Sequence, residues 1–515
     1  MTFKLFPSQQ EHVASLHAIL EKSPFALDLS MLGTGKTYTA SQIAFDLNVR
    51  HVVVIAPVSV LAKWKMMKRE HDLPLTEAFS FQSLRGVKDK QPKHELLHRH
   101  DYYETVKVRG VEKQIEKVAY SATPRLETMV EQGMLLVIDE IQNTKNMGKQ
   151  LLAASALIES IVRKGTKSSK GTKSRVLLLS GSPIDKEEHA TNMFRMLGIM
   201  KSNEVCVYHP GGYKPGYYTY PGYDEIASYM RRLAPKLFNA HEYGTQSRNA
   251  AECRKVIYQM FQEVFKPTLS SAMQPQKAPV VLSKFNGMYT ASDDDTDRIA
   301  CAVSKLAKAC RYNPEKKTVD FSHNGVQTMT AITAALMAIE NAKLGMFERI
   351  VRQELEKNKK SKVVVCLNYS NSIEVLKTEL AAYKPLILQG CMNQKQREAV
   401  IERFQRPDTS ARLLITNLTV ASTGIDLDDK HGGFPRTCFA SPMFNSITLY
   451  QLSHRFQRMD TRSSAAIFMV YEKTFPELNI LNALARKGGV MKETSYEQAL
   501  AGVLFPCDYP EYVEN

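Results

Sequence analysis

F-A-L-D-L-S-M-L-G-T-G-K-T, residues 25–37, decides how the N-terminal half of this chain is read. Phe25 to Leu29 form a short strand-like run that leads into S-M-L-G-T-G-K-T (Ser30 to Thr37), and a helical stretch follows from Tyr38 to Leu47. A strand that empties into a glycine-rich turn and then a helix is the context of a phosphate-binding loop, because the first amides of the helix are free to meet an anion. Gly33 and Gly35, with Thr34 between them, allow the backbone amides to turn inward around phosphate oxygens. Lys36 is expected to reach the β and γ phosphates of ATP, and the Thr37 hydroxyl to ligate Mg2+. The strict pattern has glycine six residues before the lysine; here that place is Ser30, so the match is to the A/S-x-x-G-x-G-K-T variant. Taken alone, G-T-G-K-T is a fortuitous turn and helix cap with no ligand in roughly one case in ten.

Downstream, V-I-D-E-I-Q (Val137 to Gln142) delivers two consecutive carboxylates at the end of an apolar run. Asp139 is the expected magnesium ligand and Glu140 the group that polarises the attacking water. A lone D-E after a strand is usually a solvated loop start; after a phosphate loop in the same sheet it is far more specific.

Apolar runs rich in Val, Ile and Leu recur along the chain between stretches of helical periodicity, the pattern of buried parallel strands joined by crossover helices. One series contains Phe25 to Ser30, His51 to Pro57, Ala78 to Phe81, Met134 to Glu140 and Val176 to Ser180. A second contains Lys362 to Leu367, Leu386 to Gly390, Arg412 to Thr416, Thr437 to Ser441 and Ala466 to Tyr471. The fold class expected is α/β, with two doubly wound, mainly parallel sheets and helical insertions. The domains expected are 1–205, holding the nucleotide loop; 206–335, a linker with a helical insertion that opens on the Tyr, Pro and Gly-rich stretch Tyr208 to Tyr223; 336–480, the second sheet; and 481–515, a tail. A charged insertion from about Val87 to Val130 includes H-E-L-L-H-R-H (His94 to His100), whose histidines lack further ligands at fixed spacing and are read as a solvated helix face rather than a metal site. The repeat in R-K-G-T-K-S-S-K-G-T-K-S-R (Arg163 to Arg175) precedes a strand, so it is expected as a solvated loop at the sheet's amino end, away from any ligand.

Composition narrows the partners. Across 515 residues, 68 Lys and Arg against 53 Asp and Glu give a net charge of +15, which suits a polyanion. Eight cysteines (Cys206, Cys253, Cys301, Cys310, Cys366, Cys391, Cys438 and Cys507) include no C-x-x-C pair and are expected as reduced thiols. With no signal-like start and no run of eighteen apolar residues, the expectation is a protein of the nucleus or cytoplasm that does not engage a membrane.

The ordered motifs resemble those of superfamily two helicases, and in particular the Swi/Snf-type DNA translocases and related ATPases of large DNA viruses. L-F-P-S-Q (Leu5 to Gln9) is similar to the family's opening motif, in which a glutamine, here Gln9, reads adenine. V-V-V-I-A-P-V-S-V-L-A-K-W (Val52 to Trp64) resembles motif Ia of the Swi/Snf branch, including the chain's one tryptophan. F-S-F-Q-S-L (Phe79 to Leu84) looks like the next motif, and S-G-S-P (Ser180 to Pro183) like the motif III that couples hydrolysis to movement. Lys343 with L-G-M-F-E-R-I-V resembles the helix opening the second lobe, and T-N-L-T-V-A-S-T-G-I-D-L (Thr416 to Leu427) resembles motif V. Q-L-S-H-R-F-Q-R (Gln451 to Arg458) fits motif VI with His454 in place of glycine. D-E-I-Q stands where Swi/Snf members commonly have D-E-x-H, and R-M-D-T (Arg458 to Thr461) where they continue R-I-G-Q.

The resemblance implies two RecA-like lobes with ATP and Mg2+ held between them and nucleic acid, duplex DNA above RNA or single strands, crossing a basic groove. It assigns Gly424 and Asp426 to the nucleotide, Gln142, Ser180, Ser182 and Gln451 to coupling, and Pro57, Ser59, Lys63, Thr416 and Thr423 to the nucleic acid. Arg455 and Arg458 lie three apart, a spacing that puts both on one face of a helix, from which they can converge on a phosphate as arginine fingers. The implied activity is nucleic-acid-stimulated ATP hydrolysis driving translocation. A strand-separating DNA or RNA helicase, an assembly subunit switched by ATP and, on the glycine loop alone, a P-loop kinase are the alternatives.

Overall fold

The computed structural model describes residues 3–108, 111–164, 173–211, 216–243, 249–273, 282–288, 292–310, 312–313, 318–319, 325–423, 425–456, 458, 461–472 and 474–494. The chain divides into two compact units, Met1–Pro275 with Val490–Ala499, and Gln276–Gly489 with Leu500–Asn515. Residues 206–335, expected as one linker, are thus divided between the two units.

In the first unit the order is α1 (Pro7–Lys22), β1 (Phe25–Asp28), α2 (Lys36–Asp46), β2 (His51–Ile55), α3 (Val58–His71), β3 (Leu75–Phe79), α4 (Phe81–Arg85), β4 (Leu97–Val108), β5 (Val111–Ala122), α5 (Pro124–Gln132), β6 (Met134–Asp139), α6 (Lys149–Lys164), β7 (Arg175–Leu179) and α7 (Glu188–Met196). Then come β8 (Val207–His209), β9 (Tyr217–Thr219), α8 (Pro221–Leu233), α9 (Ala250–Met260), α10 (Lys266–Leu269) and β10 (Ser270–Ser271). Strands β10, β1, β7, β6, β2 and β3 form one parallel sheet in that order. Its Val, Ile and Leu side chains are buried on both faces, into two separate apolar clusters, because helices cover both sides. Residues 249–271 belong to this unit as well: Phe265 packs 6.2 Å from Phe25 and 5.1 Å from Phe194, ring centre to ring centre, and β10 adds an edge strand beside β1.

The expected helix around His94–His100 is corrected. Strands β4 and β5 form an antiparallel hairpin with register from Leu97↔Ala122 to Val108↔Val111. Val111, Ile115 and Val118 are spaced four and three apart, a helical spacing, so the apolar pattern does not mark the strands. His94 is buried before the hairpin, its ring stacked 4.5 Å from Phe79 and its Nε2 3.2 Å from the Leu84 carbonyl. Most of the K-G-T-K-S repeat, residues 165–172, lies outside the described residues.

The second unit contains β11 (Leu282–Met288), α11 (Asp293–Cys310), β12 (Tyr312–Asn313), β13 (Thr318–Val319), α12 (Gly325–Ala342), α13 (Leu344–Lys357), β14 (Lys362–Leu367), α14 (Ser370–Glu379), β15 (Leu386–Leu388), α15 (Gln394–Gln405), β16 (Leu413–Asn417), α16 (Leu418–Ala421), β17 (Arg436–Ala440), α17 (Ser446–Phe456), β18 (Ala465–Tyr471) and the part of α18 (Phe475–Thr494) before Val490, where the helix passes into the first unit. Strands β11, β18, β17, β14, β16 and β15 form a second parallel sheet in that order. Lys343, just before α13, is buried and held by the Glu477 carboxylate and the Val470 carbonyl. Among the described residues no helix is long and apolar enough to cross a membrane.

Candidate nucleotide site

Strand register assembles the site in the first unit. Asp28 of β1 and Asp139 of β6 both pair with Leu179 of β7, so the phosphate loop, the D-E pair and the S-G-S-P turn leave the same carboxyl edge of the sheet. Gly35 caps α2 in the left-handed region, φ 94°, and Gly33 has φ 85°. The positive φ favours glycine at 35, and a Cβ there would lie 2.5 Å from Gln9 Nε2, so the Gln9 amide would have to move. Gln9 is buried; its Oε1 accepts from the Phe6 amide at 3.0 Å and its Nε2 donates to the Thr34 carbonyl at 3.0 Å. Lys36 Nζ donates to the Ser30 and Met31 carbonyls, each at 2.9 Å. The ammonium is thus held by two backbone carbonyls of the loop.

The carboxylates occupy contrasting settings. Asp139 is buried and its Oδ2 accepts the indole N–H of Trp64 at 3.0 Å. Burial, with Glu140 beside it, pushes its pKa up to about 6, while Trp64, Lys36 and Lys63 pull the other way. Glu140 adopts φ 63° and ψ 56°, a conformation rare for a residue with a Cβ, and its amide is tied to the Leu179 carbonyl at 2.9 Å. The Gln142 side-chain amide donates to Glu140 Oε2, its Oε1 accepts from Ser180 Oγ at 2.8 Å, and Ser180 Oγ accepts the Ser182 amide at 3.0 Å. The expected coupling residues Gln142, Ser180 and Ser182 thus form one buried chain that starts at Glu140.

Thr37 and Asp139 are the expected magnesium ligands. No group of three His, Cys, Asp or Glu that could hold a metal exists among the described residues. One hydroxyl and one carboxylate suit a magnesium that keeps waters and arrives on a nucleotide rather than a resident ion, so the donors present fit the group.

In the second unit, Arg455 Nε donates to the Ser422 carbonyl at 2.8 Å and Arg458 Nη2 lies 2.6 Å from Asp426 Oδ1. Both charges, with that of Lys430, hold the Asp426 carboxyl below its ordinary range against the effect of burial. The single helix face expected for the two arginines is corrected: α17 ends at Phe456, and Arg458 lies beyond it with its amide on Thr461 Oγ1 at 2.7 Å. The Arg458 Nε is buried without a hydrogen-bond partner among the described residues. Gly424 lies outside the described residues; Gln451 is half-buried on α17.

The expected nucleic-acid contacts are scattered in character. Ser59 is exposed at the start of α3 and Pro57 caps it. Lys63 lies 4.9 Å over the Tyr38 ring. Thr423 is half-buried with its hydroxyl on the Thr419 carbonyl at 3.1 Å. Thr416 is corrected: it is fully buried with its hydroxyl on the Asn417 carbonyl at 3.2 Å, and offers nothing to a polymer outside.

Sequence reasoning missed two links. Trp64 was noted as a motif residue, but not as the donor to Asp139, because the pair is 75 residues apart. Lys145, after the D-E-I-Q turn, pairs with Asp185, after S-G-S-P, at 2.7 Å, and His189 lies 2.9 Å from the same oxygen.

Residues 345–460 match the helicase conserved C-terminal domain. A protein of Acanthamoeba polyphaga mimivirus, "Putative ATP-dependent RNA helicase", is 23% identical over 498 residues, covering 94% of this chain and 82% of its own. The Sulfolobus solfataricus SWI2/SNF2 ATPase core, solved in complex with dsDNA, is 13% identical with a TM-score of 0.30, over 96% of this chain and 98% of that one. The helicase C-terminal domain falls on the second parallel sheet, and the likeness to the viral protein extends over 94% of the chain, so what the chain is similar to is helicase-like ATPases.

Proposed function

We propose that the chain hydrolyses ATP to ADP and phosphate and uses the cycle to move on nucleic acid, with duplex DNA as its track. The observation that carries this reading is the buried chain from Glu140 through Gln142 to Ser180 and Ser182, which links the carboxylate beside the nucleotide to a turn on the next strand. A simple nucleotide switch has no need of such a relay. In the proposed reaction the loop amides of Gly33, Thr34 and Gly35 hold the phosphates, Lys36 neutralises charge on the transferred group, and Glu140 orients the attacking water. Thr37 and Asp139 would hold magnesium, which when bound would supply charge stabilisation to the nucleotide's phosphates. Arg455 and Arg458 of the second unit are proposed to meet the γ phosphate in the transition state, with Asp426 as the resting partner of Arg458.

The preference for duplex DNA rests on the Swi/Snf-like run Val52 to Trp64. The viral relative is named for RNA, which makes RNA the competing track. The test compares ATPase rates without nucleic acid and with single-stranded DNA, duplex DNA and duplex RNA at two salt concentrations, alongside strand-separation assays on both duplexes. Stimulation strongest with duplex DNA and weakened by salt is expected. Strand separation would favour the helicase reading, and hydrolysis indifferent to every nucleic acid would favour the ATP-switched assembly subunit.

A further inference from the structure

Beneath the phosphate loop lies a polar cluster that the reaction above does not use. His12 sits on α1 one turn after Gln9, with Nε2 3.1 Å from Asp28 Oδ1 and 3.3 Å from Ser30 Oγ, and Nδ1 3.0 Å from Ser271 Oγ. The His12 and Asp28 side chains are 1% and 0% exposed. Asp28 Oδ1 also accepts the Ser30 amide at 2.9 Å, Ser30 Oγ accepts the Met273 amide at 2.8 Å, and the Leu29 amide donates to the Ser271 carbonyl at 2.9 Å. Four pieces of chain therefore meet: α1, the end of β1, the first residue of the loop, and the edge strand β10.

The cluster is an expensive way to fill a core. Burial raises the cost of a charged Asp28, yet His12 and, more weakly, Lys36 hold its carboxyl below the ordinary range. Its Oδ2 is buried with no hydrogen-bond partner among the described residues. A buried polar or ionic pair is often replaceable by apolar side chains of the same volume with no loss of stability, so stability alone does not account for the His12 and Asp28 contact. What it does do is fix Ser30, whose carbonyl receives the Lys36 ammonium. Residues 270–273 are the last described before the first unit gives way to the second at Pro275.

We propose that His12 and Asp28 are positioning residues that latch the phosphate loop, through Ser30, to strand β10 and Met273, so that the loop's affinity for nucleotide depends on that strand staying docked. The proposal rests on the reading of Ser30 to Thr37 as an ATP site. It gives residues 270–273 a consequence at the nucleotide: whatever undocks them loosens Ser30 and with it Lys36.

The test is calorimetric titration of the full chain with magnesium ADP, with turnover measured in parallel. Ser271→Ala removes one hydroxyl remote from the nucleotide and is expected to weaken ADP binding about fivefold, the size of one lost hydrogen bond. The paired change His12→Phe with Asp28→Asn removes the imidazole and the carboxylate together, avoids a stranded buried carboxylate, and is expected to weaken binding tenfold or more. Ser270→Ala is the control: its hydroxyl bonds the Lys266 carbonyl at 2.6 Å, outside the cluster, and affinity should stay within twofold. The KM for ATP should rise in step with the ADP Kd while kcat falls less, a split that a loss of fold would not give. Ser271→Ala and the paired variant both binding within twofold of the unaltered chain would overturn the latch alone. If the paired variant fails to fold, unchanged binding by Ser271→Ala is sufficient to overturn it. If the unaltered chain does not bind magnesium ADP, the nucleotide reading falls and the latch with it.

Discussion

Glu140 holds φ 63°, and a residue with a Cβ in that region carries a cost of about 1–3 kcal/mol that its surroundings must enforce. Here the Leu179 carbonyl fixes its amide and the Gln142 amide fixes one carboxylate oxygen, so the side chain is aimed before any substrate arrives. Glu140→Gln keeps this shape, because the new amide oxygen can still accept from Gln142, but removes the group that orients water. ATP binding should survive while turnover falls about a hundredfold or more, as for loss of a general base. Measuring ATP affinity and single-turnover hydrolysis on the same preparation separates the two; lost binding with intact chemistry would contradict the role. Lys36→Ala is expected to abolish hydrolysis, since among the described residues no other ammonium is bonded to the Ser30 and Met31 carbonyls where the loop turns. Near-normal turnover in that variant would remove the site assignment.

At the scale of elements, the turns after β6 and β7 are joined twice, by Gln142 with Ser180 and by Lys145 with Asp185. Burial alone would raise the Asp185 pKa, but His189 and Lys145 hold it well below the ordinary carboxylate range. A carboxyl depressed on folding contributes stability that is present above its unfolded pKa and is lost as the pH falls through the folded one. Asp185→Asn should therefore cost about 2–4 kcal/mol at pH 7, and its deficit against the unaltered chain should shrink as the pH drops below about 4. Urea denaturation at a series of pH values reads both; a deficit independent of pH would mean that the ion pair is not what the substitution removes. The central strands of both sheets were legible because buried parallel strands must be runs of Val, Ile and Leu, as in H-V-V-V-I or K-V-V-V-C-L. The edge strand β10 was not, since Ser270 and Ser271 carry no apolar pattern and owe their place to β1 and to His12. The hairpin β4–β5 was misread because Val111, Ile115 and Val118 keep a helical spacing, on strands whose outer part is exposed on both faces among the described side chains. The end of α17 gave no stop signal either: R-F-Q-R continues the helical spacing, and the bond from the Arg458 amide to Thr461 that follows Phe456 depends on a residue three positions on.

For the molecule as a whole, the formal charge of +15 implies a nucleic-acid affinity that falls with salt, each neutralised phosphate adding about 0.9 to the log–log slope on duplex and about 0.7 on single strands. That slope reports contact, not work; work requires the two units to share one reaction, and Arg458 is where this can be tested. It lies in the unit that lacks the phosphate loop, with Nη2 on Asp426 and a buried Nε that has no hydrogen-bond partner among the described residues. A guanidinium held by a single carboxylate can exchange that partner for a phosphate. If it does so in the transition state, Arg458→Ala should leave ATP binding within a few-fold and lower nucleic-acid-stimulated hydrolysis about a thousandfold, the usual size of an arginine-finger loss. Asp426 keeps Lys430 at 2.7 Å in that variant, so the fold of the second unit should persist, which a melting curve checks. Arg458→Lys should fail to restore the rate, because a point charge on a flexible stem does not reproduce a planar fork on two phosphate oxygens. Full stimulated turnover in Arg458→Ala, or complete rescue by lysine, would mean that the second unit takes no direct part in the chemistry, and hydrolysis would then belong to the first unit alone.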